Sequence, residues 1–149
     1  MATLTATDLL EMSQEQLDDL FRGAEAGPIP NGDADGTAIL AAGTGLQSPG
    51  ARLAHRLAWR GKVFDAAKGT LVNKITRLAL HAIRATVYRE ASWFDGKEAI
   101  ILDYSKTSWV ASRIRDEIRE VSPGLYLGQV YWDRTRVCNF ALTFASGRQ

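Results

Sequence analysis

The sequence predicts a mainly β fold, a single domain built as an antiparallel barrel of about eight strands with two N-terminal helices. Three observations predict it. From Gly61 onward the chain is a succession of short apolar or alternating runs rich in Val, Ile, Thr and aromatic residues. Turn residues punctuate those runs at about every eight to twelve positions, which favours consecutive hairpins over helical crossovers. The 149 residues, 46% of them hydrophobic, suffice for one substantial core and not for two. Residues 1–35 are expected as an acidic helical segment packed on the barrel, and 36–149 as the barrel itself.

In chain order, Thr7–Arg22 ("TDLLEMSQEQLDDLFR") sets Leu9, Leu10, Met12, Leu17, Leu20 and Phe21 at helical spacing among acids, so a helix is expected there. Ser13 followed by Glu15 and Gln16 reads as a capping box, which marks an interruption near Ser13. "GAEAGPIPNGDADG" then reads as Gly- and Pro-rich turns leading to an extended run over Thr37–Ala42. In "SPGARLAHRLAW", Ser48 is an N-cap with Pro49 at the first helical position, predicting a second helix over 48–59. Strands are expected at 61–66, 69–76, 79–91, 97–104, 115–121, 125–132 and 136–144, separated by "AAKG", "WFDGK", "SPG" and "WDRT". Asp95-Gly96 is the strongest hairpin signal among these. Residues 105–113 read as a loop or one to three helical turns across one end.

The run Ile114–Val121 carries an ambiguity that matters. As part of a helix from Thr107 it would put Ile114, Ile118 and Val121 on one face. As a strand, favoured by the "SPG" turn and strand-like "LYLGQVYW" that follow, it puts Ile114, Asp116, Ile118 and Glu120 on one face. Arg115, Glu117, Arg119 and Val121 then share the other, so whichever face turns inward carries charge into the barrel.

Composition excludes several classes. A net charge of +1 does not suggest a nucleic-acid binder, although residues 1–35 carry eight acids against Arg22 while 51–90 carry nine bases against two acids. The acidic segment is expected to lie against that basic middle. No window reaches the roughly 18 apolar residues of a membrane span, and the N-terminus lacks a secretory layout, so a cytoplasmic protein is expected. Cys138 is the one cysteine, which leaves no intrachain disulfide and no zinc-site pattern; no metal or cofactor is expected.

Trp59, Gly61, Lys62 and Phe64 in "LAWRGKVFD" resemble the motif of the GXWXG family, with Leu57 in place of its first glycine. "LDYSKTSWVASRIRDEIREVSPGLYLG" resembles that family's companion domain of unknown function. The resemblance covers residues 57–65 and 100–144 and implies a lipocalin-like, fatty-acid-binding-protein-like calycin barrel with an internal cavity, and no particular reaction.

Candidate residues follow from that architecture. Arg115 and Arg119, with Tyr104, Lys62 and Asn73, are expected as contacts for a ligand's polar head, because a planar guanidinium with a tyrosine suits a carboxylate, phosphate or enolate; the alternative for "RDEIRE" is a solvated, mutually neutralising charge ladder on the outside of the barrel. Trp59 and Phe64 are expected to line the cavity. Glu117, Asp103 and Tyr104 are the acid/base candidates should the barrel be a cofactor-independent isomerase, cyclase or lyase, since burial can raise a carboxyl toward neutral pKa. His81, on the more apolar side of its run, is either a core histidine or an axial haem ligand. The helix 48–59, with Arg52, Arg56 and Arg60 on one face and Trp59 at its end, either caps the barrel or rests on anionic membrane through 48–60. Leu125, Leu127, Tyr131 and Trp132 read as a filled core or as a strand face through which two copies pair. The function expected first is binding of a small hydrophobic or acidic molecule inside the barrel.

Overall fold

The structure, a computed structural model, describes residues 3–39, 59–75, 84–106 and 111–145. Two short helices, α1 (Ala6–Leu10) and α2 (Gln14–Gly23), precede eight strands. These are β1 (Gly32–Ile39), β2 (Trp59–Asp65), β3 (Thr70–Ile75), β4 (Arg84–Ala91), β5 (Glu98–Asp103), β6 (Ile114–Ser122), β7 (Leu125–Trp132) and β8 (Thr135–Phe144). Each strand pairs antiparallel with its neighbours in sequence, and β1 pairs with β8, so the sheet closes into a barrel with no free edge.

The helix expected over 7–22 is two helices, broken where the capping signal lies. Ser13 accepts a hydrogen bond from the Gln16 amide at 3.1 Å while Gln16 Oε1 accepts from the Ser13 amide at 2.9 Å. Thr5 and Asp8 make the same reciprocal cap on α1. The second helix expected, 48–59, lies outside the described residues apart from the backbone of Trp59, as do His55, His81 and the side chains of 48–60 on which the expected membrane contact depends. Among the described residues no helix is long and apolar enough to cross a membrane.

Ile114–Ser122 is a strand, paired with β5 and β7, and not the tail of a helix from Thr107. A 3-10 turn at Ala111–Arg113 leads into it. The first strand starts at Gly32, five positions before the extended run expected at Thr37. Within it Asp33 and Asp35 are exposed while Ala34 and Gly36 are buried, an alternation of the β period whose buried positions are too small to register as apolar. The β7–β8 connection is a two-residue turn in which Asp133 and Arg134 both take positive φ, 50° and 73°. The guanidinium of Arg113 holds the turn by bonding Asp133 Oδ2 at 2.7 Å.

Period-2 alternation splits the buried residues into two cores. One fills the barrel: Phe64 from β2, Leu71 from β3, Val87 from β4, Ile100 and Leu102 from β5, Ile118 from β6, and Phe140, Leu142 and Phe144 from β8. The other lies outside it, where Leu9, Leu10, Leu17 and Phe21 of the helices cover Ile39, Leu125, Leu127 and Ala141. Each core buries enough large side chains to contribute on the order of 10 kcal/mol or more before entropy is counted. The acidic N-terminal segment therefore packs on the barrel: its Asp18 pairs with Arg136 of β8 at 2.8 Å, and its Asp33 and Asp35 lie on β1 beside β2, while much of the basic stretch 51–90 is outside the described residues. Leu125 and Leu127 belong to this second core, Tyr131 is buried against Trp93, and Trp132 is exposed.

Residues 25–30 close one end of the barrel. The Glu120 amide donates to Ala26 O at 3.2 Å and Tyr126 Oη donates to Pro28 O at 2.7 Å, with Ala26 and Ile29 packed into the interior cluster. The connections β1–β2, β3–β4 and β5–β6 all leave the opposite end.

Candidate functional site inside the barrel

Because β2 and β6 are four places apart in a ring of eight strands, they form opposite walls. Lys62 on β2 and Asp116 on β6 both point inward, as their alternation with Phe64 and Ile118 requires. Lys62 Nζ reaches within 3.4 Å of Asp116 Oδ2, so the lysine stem spans the lumen. Tyr104, which follows β5, completes the set: its hydroxyl accepts from Lys62 Nζ at 2.7 Å and donates to Asp116 Oδ2 at 3.0 Å. The ammonium also lies 5.4 Å from the Tyr104 ring centre and 5.3 Å from that of Phe140.

Two backbone features make room for this. Gly61 has φ +123°, at a bulge between β2 and β3, and a Cβ there would sit 2.0 Å from Ala34 O, so the residue before Lys62 must be glycine for β1 to approach. Gly128 on β7 is the floor under the Phe140 ring, 2.2 Å from where its own Cβ would stand. Lys62 falls opposite Ala34 on one side and Asn73 on the other.

Electrostatically the cluster is unsettled. Burial pulls the Lys62 ammonium below its ordinary pKa, with Asp116 pulling back. Burial likewise pushes the Asp116 carboxyl up, against the attraction of Lys62 and the Tyr104 hydrogen bond. Asp116 Oδ1 accepts no hydrogen bond among the described residues, although the residue is 4% exposed. A buried carboxylate oxygen without a donor costs about 1–3 kcal/mol or more.

Below the cluster, toward the closed end, the lumen is filled by aromatic and aliphatic side chains. Phe64, Phe144 and Tyr126 pack in sequence there, with ring centres 5.8 and 5.6 Å apart. Toward the other end the inward-facing positions change character: Ala38, Ile114, Val130 and Cys138 are apolar and half-buried. Asp116, Val130 and Cys138 stand side by side across three strands. Burial first, and then the Asp116 charge, push the Cys138 thiol up to about 11, which leaves it an unreactive apolar lining group. Among the described residues the cluster is thus a polar layer, with apolar inward-facing positions between it and that end.

The expected site residues are distributed as follows. Lys62 and Tyr104 meet inside the barrel, and Phe64 is interior but deep in the packed end. Trp59 and Asn73 are described in backbone only, and His81 lies outside the described residues. Arg115, Glu117 and Arg119 face outward, a correction to their expected place in the lumen, because Ile114 and Ile118 take the inward positions of β6. Glu117 and Arg119 are buried nonetheless, and Arg115 partly so, under α2 and the β4–β5 hairpin. Arg119 uses all its donors: Asp95 at 2.7 Å twice, Phe21 O at 2.9 Å, and Glu98 O and Lys97 O at 3.1 Å. Glu117 accepts from Ser92 Oγ at 2.5 Å, the Trp93 amide at 2.8 Å and Arg115 Nη2 at 3.0 Å. Asp103 is also outside, bonded by Tyr88 Oη at 2.8 Å and the Ser105 amide at 2.8 Å, which hold its carboxyl below the ordinary range despite partial burial. The acid/base pair expected in "ILDYS" is thereby separated, Tyr104 in and Asp103 out.

Asp116 is the site residue that the candidate list omitted. The signal for it was an aspartate at an Ile-x-Asp-x-Ile position of a strand, where period 2 puts a carboxyl among core residues.

No protein-family model matches the sequence, and no curated protein matches it. Among solved structures it is similar to the crystal structure of a protein from Thermomonospora curvata, with a TM-score of 0.57 and 19% identity, over 91% of this chain and 89% of that one. At that identity the likeness is one of fold.

Proposed function

We propose that this protein binds a small hydrophobic molecule carrying a polar head, seated in the apolar mouth of the barrel with its head on the Lys62–Tyr104–Asp116 floor. The use is that of a lipocalin-like carrier, as the GXWXG-like segment around Trp59 and Lys62 suggests. The observation that supports it most is the unpartnered Asp116 Oδ1 beneath half-buried Ala38, Ile114, Val130 and Cys138. Lys62 already neutralises Asp116, so the floor carries no net charge, and the head it suits is a hydrogen-bond donor such as a hydroxyl, an amide or a protonated acid. A proton-transfer reaction in the same place would use Asp116 in the role first expected of Glu117 or Asp103.

Native mass spectrometry of freshly purified protein, followed by extraction, is the direct test, with a co-purified hydrophobic donor as the expected result. Binding of cinnamyl alcohol, followed by NMR shifts at Ile114 and Val130, then locates the site. Replacing the floor with the apolar pair Lys62→Met/Asp116→Leu should weaken the alcohol by about tenfold or more, the worth of one hydrogen bond to a charged group, and leave Arg115→Ala protein unaffected. Equal affinity in the floor variant and the native protein would overturn the assignment.

A further inference from the structure

We infer that Lys62 captures carbonyl compounds: its amine, held against Tyr104 and Asp116 inside the barrel, forms an imine with an apolar aldehyde or ketone that enters above it. This rests on the reading of the mouth as a binding site and adds to its hydrogen-bond-donor ligands a second class, carbonyl compounds, whose head meets the Lys62 amine.

The geometry carries the inference. An ordinary lysine is protonated and no nucleophile; it becomes one where water is excluded and a proton acceptor stands beside it. Lys62 is 3% exposed, and its Nζ lies 2.7 Å from Tyr104 Oη and 3.4 Å from Asp116 Oδ2. Burial lowers the amine's pKa and raises the carboxyl's, so both shifts favour passing the proton from Lys62 to Asp116. The outer charged cluster contains nothing comparable, since Arg119 has every donor engaged and a guanidinium does not deprotonate.

The reaction balances within the site. Lys62 gives a proton to Asp116, and the free amine adds to the carbonyl carbon; the N–H proton moves to the former carbonyl oxygen, with Tyr104 in hydrogen-bond reach to relay it, giving a carbinolamine. Asp116 returns its proton to that hydroxyl, the C–O bond breaks and water leaves. The product is a protonated imine beside an Asp116 carboxylate. The net change is aldehyde plus Lys62 ammonium giving iminium plus water, so the buried site is neutral before and after.

The test uses the native protein, cinnamaldehyde as the probe, sodium cyanoborohydride to fix any imine as a secondary amine, and peptide mapping of all five lysines, Lys62, Lys68, Lys74, Lys97 and Lys106. The expected result is one adduct per chain on Lys62, formed at least about tenfold faster than on the exposed Lys68, Lys97 and Lys106, and suppressed by cinnamyl alcohol. Lys62→Arg, which keeps a cation beside Asp116, should bind the alcohol and form no such adduct. Labelling spread over the lysines without preference for Lys62 overturns the inference. Alcohol binding at Ile114 and Val130 without a Lys62 adduct also overturns it and leaves the carrier reading standing. Failure of both alcohol and aldehyde to bind overturns the two together.

Discussion

Strand β6 carries two buried charge clusters, one on each face, and they differ in how completely the protein satisfies them. On the outer face Arg119 is 0% exposed, yet all its donors are bonded, and Glu117 takes bonds from a serine, a backbone amide and Arg115. Arg115 and Arg134 further sandwich Trp93, at 4.2 and 4.3 Å from its ring centre. On the inner face Asp116 shares two partners through one oxygen and leaves the other bare. A charge network closed on itself has nothing left to offer a ligand, and acts to pin the β4–β5 hairpin and α2 onto the barrel. A network with an open valence in the lumen holds an unmet interaction, which is where a ligand gains most.

The sharpest break of this contrast is Arg119→Ala. It strips Asp95 of both guanidinium bonds, leaving it the Lys97 amide, and takes a charged donor from the carbonyls of Phe21, Lys97 and Glu98, so the expected loss is about 3–5 kcal/mol in urea unfolding, with α2 loosened in hydrogen exchange. Retained stability would mean that the outer network is not structural. On the inner face Lys62→Met should cost about as much, because Asp116 is left buried without its counter-charge. The double Lys62→Met/Asp116→Leu should recover most of that loss, and at the upper end exceed the native protein by about 1–4 kcal/mol. No matching apolar replacement should rescue Arg119, whose partners are mostly backbone carbonyls. A double no more stable than the single would show that the interior cluster is a structural element like the outer one.

A smaller effect is expected at the floor's support. Gly128→Ala places a methyl where the Phe140 ring lies, and should cost about 1–3 kcal/mol while displacing the ring from the Lys62 ammonium. Crystal structures or ring-current shifts of the variant would read that displacement.

The pH dependence separates the two faces with the smallest signal. Hydrogen bonding from Arg119 holds the Asp95 carboxyl below its ordinary 3.8, so the unfolded chain binds that proton more readily. Its stabilisation is therefore complete above that value and is lost as pH falls through the folded one. Asp116 is raised above 3.8, so its folded form binds the proton more readily and stability from it declines as pH rises across the raised interval. Urea titrations from neutral to acid pH should show a shallower acid loss in Asp95→Asn. In Lys62→Met/Asp116→Leu the acid loss should persist, because it belongs to the outer face.

Much of the fold was legible in the chain. The strand positions follow from alternation and turn chemistry, both properties of a few adjacent residues, and seven of the expected strands correspond to β2 through β8. The break at Ser13 was legible for the same reason, a cap being a three-residue device. The start of β1 was not, since glycine and alanine at its inward positions leave no apolar mark. The site was half legible: Lys62 and Tyr104 stand out in the sequence, while Asp116 is less conspicuous than its neighbours Arg115, Glu117 and Arg119.

By itself, then, the sequence favoured a strand over Ile114–Val121 and determined that such a strand carries charge on both faces, because period 2 is built into the backbone. Only the tertiary structure decided which face turns in. The decision rests on residues far away in sequence: α2 and the Trp93–Asp95 loop offer Arg119 and Glu117 partners outside, while Lys62 crosses the lumen from the opposite wall to meet Asp116. A buried charge goes where its partners are, and no local pattern records them.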